Sequence, residues 1–224
     1  MNLESVFMKQ PAPPGFHIYR CTHGKHRLIQ QHLQWLNTWF LTIKKNPLND
    51  IEPRSNLYEQ VRIAYSVPRT LAMITISDGT KYNLFPLDLH GAVNDSMYAC
   101  TLREQSKSSA QVEQCRRIVL SEIDCSFKND IYATAKNHIK EMQPVENFPF
   151  SNLRSKNFNL PLPAGCTTYC ELQLESREDF GFHRLYFFNV VHRQQVMSSY
   201  SSFAHIHRYA AEWRRKNKIP TSNC

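Results

Sequence analysis

The alternation of apolar and polar residues predicts antiparallel strands in the middle of the chain. Residues 70–77 read Thr-Leu-Ala-Met-Ile-Thr-Ile-Ser, a β-rich run. Asp78-Gly79 follows at once and is typical of a tight hairpin turn, so residues 81–85 are expected to return as the second strand. Residues 97–103 predict a third strand. The pattern therefore begins with a hairpin and one further strand.

Two more strands are predicted late in the chain. In residues 170–176, Leu172 and Leu174 alternate with polar residues, which predicts one buried and one solvated face. The polar residues expected to face water are Glu171, Gln173 and Glu175. Residues 185–191 are almost continuously apolar, which suits a strand covered on both sides. Residues 177–183 are expected to form the hairpin loop between them. Hairpin links of this kind indicate an antiparallel sheet.

Apolar residues at a spacing of three and four predict a helix near each end of the chain. The helix expected over residues 26–45 carries Leu28, His32, Trp35, Leu36, Trp39, Phe40 and Ile43. The final helix carries Phe203, Ile206, Ala210 and Trp213 on one face, with Ser201 or Ser202 as its cap. Aromatic stripes of this kind are typical of a core or a subunit contact, and they lead us to expect a homodimer.

The segments between the strands are expected to hold two helices and two loops. Spacing of apolar residues predicts a helix over residues 109–118 and a shorter one over 131–140. Prolines interrupt residues 86–91 and 143–163, which we expect to be loops. Residues 1–20 are also proline-rich and are expected to form an extended arm.

Composition narrows the class of protein. No apolar run approaches the ~20 residues that a membrane helix needs, and the first ten residues do not resemble a secretory signal. Seven cysteines without an export signal favour reduced thiols over a disulfide framework. Cys166 and Cys170 lack a second pair of ligands, so small buried residues are favoured over a metal site. We therefore expect a cytoplasmic protein with no membrane segment and no metal.

The positive charge has two interpretations. The net charge is +8, and the basic residues are scattered apart from a cluster at 214–218, where cations suit the negative end of a helix dipole. Nucleic-acid binding is therefore the weaker interpretation, and attraction of anionic nucleotides is the other. With six glycines and no Gly-x-Gly-x-x-Gly or Walker sequence, a Rossmann or P-loop site is disfavoured.

A phosphate site is possible between the third strand and the first of the middle helices. The sequence from Arg103 to Ser109 reads Arg-Glu-Gln-Ser-Lys-Ser-Ser, and Ser108 with Gln111 fits a capping box. Free backbone N–H groups at the helix start, two cations and several hydroxyls together suit a phosphate. The residues concerned are Arg103, Ser106, Lys107, Ser108 and Ser109. The alternative is an ordinary capped helix in a basic protein.

Two further segments carry polar residues among apolar ones. The run from Asn83 to Gly91 places Asp88 and His90 in a proline- and glycine-bounded segment, where acid–base work is conceivable. The alternative is that Asp88 caps a turn and His90 satisfies a backbone carbonyl. His183 follows Gly181 and Phe182, and it either points into a cleft or closes the hairpin.

These segments, taken in order over residues 58–198, resemble the flavin reductase-like, FMN-binding split-barrel family. The resemblance lies in the opening hairpin that ends at Asn83, the strand, hydroxyl-rich turn and helix after residue 97, and the closing hairpin around His183. The family usually has Gly-Asp-His where this chain has Gly-Phe-His, with Phe182 in place of the acid. Its Ser-rich, double-proline stretch is replaced here by residues 85–93.

The resemblance implies a mainly β fold with flanking helices, an antiparallel Greek-key split β-barrel that forms homodimers with FMN at the interface. Asn83, Leu84 and Phe85 would approach the isoalloxazine through backbone groups, in the segment that also holds Asp88 and His90. Thr101 and Arg103 would lie along the ribityl chain. The phosphate would face Ser106, Lys107, Ser108 and Ser109. His183 would stand near the ring, where NAD(P)H delivers hydride.

On this interpretation the chain has three regions. Residues 1–56 form an N-terminal arm and amphipathic helix, 57–198 the FMN-binding split-barrel domain, and 199–224 a C-terminal helix packed on the barrel or on the dimer partner. The expected activity is flavin reduction by NAD(P)H, with the flavin performing the hydride chemistry. The alternative is a module that holds FMN or a related cofactor without turnover, which Phe182 favours.

Overall fold

The structure is a computed structural model that describes residues 2–6, 18–23, 33, 36, 39, 67–180, 183–198, 201, 203–206 and 208–218. The chain divides into two compact units. The first contains Met1–Pro68 and Ile206–Asn223, and the second contains Arg69–His205.

The helices and strands follow one another along the chain in a simple order. They are β1 (Asn2–Val6), β2 (Ile18–His23), β3 (Arg69–Thr70), β4 (Ala72–Ser77), β5 (Tyr82–Leu87), β6 (His90–Ala92), β7 (Met97–Arg103), α1 (Lys107–Cys115), β8 (Arg117–Ile123), α2 (Lys128–Ala133), β9 (Phe150–Arg154), β10 (Pro161–Pro163), β11 (Cys166–Phe180), β12 (His183–Gln195), β13 (Ala204–His205) and α3 (Arg208–Lys216). Short 3₁₀ turns cover Cys125–Phe127, Ala135–Ile139 and Val145–Asn147.

In the first unit, β1 and β2 form an antiparallel pair with Val6 opposite Ile18. The expected extended arm therefore contains a two-stranded ribbon. The predicted helix over residues 26–45 is described only at Leu33, Leu36 and Trp39, which are helical and exposed. The rest of its stripe lies outside the described residues. Helix α3 ends in three cations, as expected for the negative end of a helix dipole.

The second unit is built on one seven-stranded sheet in the order β5-β4-β8-β11-β12-β7-β6, and every neighbouring pair is antiparallel. The two edge strands, β5 and β6, follow each other in the chain with only Asp88 and Leu89 between them. Three peptide steps span at most about 11 Å, so the sheet must curl until its edges nearly meet. The N–H of Thr101 donates to the carbonyl of Leu89 at 2.9 Å and so extends the β6–β7 ladder into this link. The predicted antiparallel split barrel is confirmed.

Two apolar cores lie on opposite faces of this sheet. Inside the barrel, alternate residues of the strands pack with Val112 of α1, and the largest of them are Ile74, Ile76, Phe85, Tyr186 and Phe188. The second core lies outside β4 and β8, under α2 and the β9–β10 pair, and includes Met73, Leu84, Val119, Ile131 and Leu162. Strands β4 and β8 are therefore buried on both faces.

Two of the expected loops are strands. β5 continues through Pro86, which lies opposite Met73, so residues 86–91 are not a loop. Proline is tolerated there because β5 is an edge strand and needs no outward N–H. β11 and β12 stay paired until Phe180 lies opposite His183, so the loop expected over residues 177–183 is wrong. Proline and other turn residues predicted loops here because the sequence does not show that β5 pairs with β4, and β11 with β12, through these positions.

The bounds of the helices also differ from those predicted. α1 begins at Lys107 with Ser106 as its cap, and Gln111 bonds to Asn83 across the barrel end instead of completing a capping box. The helix predicted over residues 131–140 is α2 followed by a 3₁₀ turn. Phe203 lies in the second core just before β13, and not on the last helix.

Glu171 overturns the predicted solvated face of β11. It is fully buried, because the segment after β9 folds back across that face. Its carboxylate accepts hydrogen bonds from the Asn157 N–H at 2.8 Å, the Asn157 side-chain amide at 2.8 Å and the Phe158 N–H at 2.6 Å. A buried charge is tolerated only with such partners.

Within the described part of the chain, Cys100, Cys115, Cys166 and Cys170 are free thiols. Burial raises the pKa of Cys166 to about 11. Among the described residues, no helix is both long enough and apolar enough to cross a membrane, and no three potential metal ligands cluster.

Candidate functional site

The pairing of β7 with β12 brings several predicted residues together. His183 lies opposite Arg103, and Leu185 lies opposite Thr101. Along β7, Cys100 and Leu102 point into the barrel, so Thr101 and Arg103 lie on its outer face. Thr101 also bonds to the short link that contains Asp88. We call Asp88, Thr101, Arg103 and His183 the β7–β12 face.

Electrostatics on this face keep His183 neutral. Burial lowers the pKa of His183 below its usual 6.5, and the positive charge of Arg103 lowers it further. The negative charge of Asp88 acts in the opposite direction without reversing the shift. The imidazole is therefore uncharged at neutral pH, with one ring nitrogen able to donate and the other able to accept.

The turn that leads from β7 into α1 is held by Ser106. Its hydroxyl donates to the Arg103 carbonyl at 2.7 Å and accepts from the Ser109 N–H at 3.1 Å. The Ser108 hydroxyl is buried, 3.0 Å from that of Ser106. Lys107 is exposed and lies 2.6 Å from a Glu141 carboxylate oxygen. The first N–H groups of α1 thus start directly beside Arg103, where a helix N-terminus favours anions.

Ser109 belongs to a different group of contacts. Its hydroxyl lies 2.5 Å from the hydroxyl of Tyr186, which is buried in the barrel. The Tyr186 hydroxyl also donates to Glu113 at 2.8 Å, and Arg184 donates to the same carboxylate oxygen at 2.5 Å. Burial would raise the pKa of Glu113, but the bonds from Tyr186 and Arg184 outweigh it and lower the pKa. These contacts fix α1 against β12.

The side chains of Asp88 and His90 are both paired. Asp88 forms a salt bridge with Arg69 at 2.7 Å. His90 Nδ1 lies 2.8 Å from the Tyr98 hydroxyl, and the two rings stack with centroids 6.0 Å apart. His90 lies opposite Cys100, so its ring faces the barrel interior and not the β7–β12 face. Burial lowers the pKa of His90, so this histidine is also neutral at neutral pH.

Asn83, Leu84 and Phe85 are fully buried on β5. The Asn83 amide donates to Gln111 Oε1 at 2.7 Å and to the Asn137 carbonyl at 3.1 Å. The Leu84 carbonyl accepts from the Asn137 amide at 3.0 Å. The open edge of β5 is therefore covered by the turn that contains Asn137.

The structure thus gathers part of the predicted set. It brings together Asp88, Thr101, Arg103, Ser106, Lys107, Ser108 and His183. Ser109, His90 and Asn83–Phe85 lie in the barrel or against the turn at Asn137. Sequence reasoning missed Glu113, although its place four residues after Ser109 puts both on one helix face, and it missed Asn137, which carries no local signal.

No protein-family model and no curated protein matches the chain. Solved structures do match its fold. An FMN-binding protein from Thermus thermophilus, solved with p-hydroxybenzaldehyde, has a TM-score of 0.56 at 14% identity, over 64% of this chain and 84% of that one. The NADH:FAD oxidoreductase SgcE6 of Streptomyces globisporus C-1027 has a TM-score of 0.57 at 11% identity, over 71% and 93%.

The flavin reductase of styrene monooxygenase from Pseudomonas putida S12 has a TM-score of 0.54 at 13% identity, over 65% of this chain and 91% of that one. The three proteins share little sequence with this chain, and the likeness is one of architecture. The chain has the fold of the flavin reductase-like, FMN-binding split barrels.

Proposed function

We propose that the protein binds FMN on the β7–β12 face, with the phosphate at the start of α1, and passes hydride from NAD(P)H to the flavin. The observation that carries this proposal is the cross-strand pair of Arg103 and His183 beside the capped start of α1. The pair places a cation that suits an anion directly opposite a neutral imidazole.

The phosphate end has an available cation. Arg103 is exposed and forms no salt bridge with any described residue. Ser106 holds its carbonyl, so the guanidinium starts from a fixed backbone beside the first N–H groups of α1. A phosphate there would receive charge-assisted bonds from Arg103 and backbone donors. Lys107 stands on the same turn, but its charge is paired with Glu141, so Arg103 is the cation that this proposal uses.

The β7–β12 face also holds a polar atom without a partner, two residues before Arg103 on β7. Thr101 Oγ1 is buried and has no hydrogen-bond partner among the described residues. A buried hydroxyl without a partner costs about 1–3 kcal/mol, so a group that satisfies it is favoured. A ribityl hydroxyl of FMN would supply that partner. The residues present therefore fit the group.

In this proposal His183 is the residue that acts on the flavin ring. FMN, when bound, supplies the hydride-accepting ring. The neutral imidazole can donate one hydrogen bond to charge that develops on a reduced ring, and the nearby Asp88 carboxylate favours a proton on His183. The named activities of the structural neighbours, flavin reduction and NADH:FAD oxidoreduction, support this proposal.

The protein acts as a homodimer in this proposal, because the family that the chain resembles is expected to hold FMN at its dimer interface. Free thiols at Cys100, Cys115, Cys166 and Cys170 suit a reducing compartment and support a cytoplasmic location.

A second candidate function is a module that holds FMN without turnover. The observation that favours it is Phe182, which stands beside His183 where the resembling family usually has an acid. The visible spectrum of the purified protein before and after NADH separates the two functions. Bleaching of the flavin bands by NADH supports the reductase, and a flavin that stays oxidised supports the module.

Replacing Arg103 tests the flavin site itself. Arg103→Ala removes a charge-assisted bond worth about 1.5–3 kcal/mol, so FMN affinity should fall ten- to a hundredfold. Riboflavin lacks the phosphate and should bind the variant as it binds the wild type. Quenching of flavin fluorescence measures both affinities. The exposed Lys128→Ala is the matched control. Equal weakening of FMN and riboflavin would contradict the assignment.

A further inference from the structure

A basic cleft lies at the turn between β4 and β5, on a part of the sheet that the flavin proposal does not use. Its volume is about 610 Å³. Its lining includes Asp78, Arg116, Arg117, Arg154, Phe158 and Gln173. We infer that this cleft binds a phosphate-bearing anion of nucleotide size, at a site separate from the β7–β12 face.

The charges in the cleft are unbalanced. Its three arginines each donate to a neutral oxygen: Arg116 to the Leu174 carbonyl at 2.9 Å, Arg154 to the Asn159 carbonyl at 2.8 Å, and Arg117 to Gln173 Oε1 at 3.2 Å. None of them forms a salt bridge with a described residue. Each guanidinium has five N–H groups, so most of its donors stay available to a ligand.

The single acid in the cleft does not cancel this charge. One oxygen of Asp78 accepts from the Thr80 N–H and hydroxyl at 2.9 Å and from the Lys81 N–H at 2.8 Å. These bonds are those of a hairpin turn, and the backbone donors of Lys81 and Thr80 lower the pKa of Asp78. The carboxylate therefore serves the turn, and the cleft keeps a net positive charge.

The backbone at one cleft residue is costly. Arg116, with φ of 56°, ends α1 in the left-handed region. Glycine is the usual residue after a helix in this conformation, because a side chain there is disfavoured. The chain instead holds an arginine at this position, and its guanidinium lines the cleft. Strain of this kind is found where a side chain is needed for function.

The wall opposite the helix is fixed before any ligand arrives. The buried Glu171 carboxylate holds the backbone of Asn157 and Phe158. The Phe158 ring in turn lies under the Arg117 guanidinium, 5.5 Å from ring centroid to Cζ. A wall that is already ordered costs little entropy on binding, so the site is preorganised for an anion.

The geometry selects the class of ligand. Guanidinium groups match phosphate oxygens in pairs, and three of them surround this cleft. A volume of about 610 Å³ lies within the range of small-molecule sites and exceeds what one phosphate fills. A nucleoside phosphate meets both conditions, with the phosphates on the arginines and the nucleoside in the remaining space.

Calorimetric titration of the full-length protein with ADP, pyrophosphate and adenosine tests this inference. ADP and pyrophosphate should bind saturably, more weakly as salt is raised, and adenosine should not bind. Arg117→Gln and Arg154→Gln should each weaken ADP roughly tenfold or more. Both residues are exposed, and the melting temperature checks that each variant folds. Lys128→Gln removes one exposed charge outside the cleft and should change nothing.

The same variants separate this site from the flavin site. FMN affinity should be unchanged by Arg117→Gln and Arg154→Gln, and ADP affinity should be unchanged by Arg103→Ala. No saturable binding of ADP or pyrophosphate overturns the inference, and so does equal loss in the Lys128→Gln control. If ADP competes with FMN and follows Arg103, the cleft is not its site, whether or not the protein reduces flavin.

Discussion

His183 and His90 are both neutral, but their surroundings differ. The ring of His90 is held by Tyr98 on the barrel side of the sheet. His183 lies at the first position of β12 beside Arg103, on the outer face. A histidine that only closes a hairpin does not need a cation such as Arg103 beside it. The pairing of β11 with β12 as far as Phe180 and His183 gives this imidazole a rigid strand to start from.

Replacing His183 tests whether it acts in hydride transfer. In His183→Ala, reduction of bound flavin by NADH should slow roughly tenfold or more, because a donor to the reduced ring is lost. FMN affinity and melting temperature should stay close to those of the wild type. Stopped-flow bleaching measures the rate. His192→Ala, on the same strand, is the matched control.

Two other outcomes would contradict a role of His183 in hydride transfer. If the melting temperature falls and the rate is lost only in proportion to lost flavin, His183 is structural. If the wild type shows no bleaching with NADH or NADPH, the reductase proposal fails and the flavin-holding module replaces it.

The link between β5 and β6 is the element on which closure of the barrel depends. Only two residues cross from one edge of the sheet to the other. Arg69 pairs with Asp88 on this link, and His90 at the start of β6 contacts Tyr98. Burial lowers the pKa of His90 in spite of the nearby Asp88 carboxylate, so charge on His90 is disfavoured and this element should respond to acid.

Stability should fall as pH drops below about 6.5, the usual pKa of histidine. The pKa values of His90 and His183 are lowered in the folded state, so the unfolded chain takes up protons first. Their stabilisation is complete above pH 6.5 and is lost as pH falls through the folded pKa values. Melting temperature against pH should be shallower in His90→Gln. An unchanged slope would contradict the argument.

Local patterns predicted the elements whose contacts are local. The hairpin at Asp78-Gly79 and the strand Met97–Arg103 are both predicted correctly, because a turn and an alternating strand depend on residues that are close in the sequence. The burial of Glu171 was not, because it depends on a segment that folds back from residues 157 and 158. The same reason explains why Asn137, the distant partner of Asn83, was missed.

In the candidate site, too, the contacts between residues close in the sequence were predictable and those between distant residues were not. Arg103 and the turn before α1 follow one another in sequence, so their proximity was predictable. The resemblance to a family implied that His183 and Arg103 both approach the flavin, but that they lie opposite each other required the structure. The contacts of Glu113 with Arg184 and Tyr186 link positions far apart in the chain and required the structure.

At the scale of the whole molecule, apolar residues are exposed in the N-terminal unit. Leu33, Leu36 and Trp39 share a helical spacing and are 45%, 39% and 46% exposed. Large aromatic and aliphatic side chains in one row are typical of subunit interfaces. We therefore expect a homodimer with this helix at the contact.

Light scattering at micromolar concentration should give twice the mass of the 26.3 kDa chain. Trp39→Glu should shift the protein towards monomer, because a charge would replace apolar contact area. Leu153→Glu, at a residue that is 50% exposed on β9, is the control and should remain dimeric. A monomeric wild type would contradict the prediction.

The position of β12 between β11 and β7 has a consequence for how the chain is made. β7 is complete at residue 103, but its partner begins only at residue 183, so during synthesis one edge of β7 has nothing to pair with. The sheet closes only when β12 enters the gap between β7 and β11. Such long-range pairing slows folding and leaves an open strand edge that other chains can join. A chain terminated before residue 183 therefore lacks the strand that unites its two halves, and its fate is aggregation or degradation.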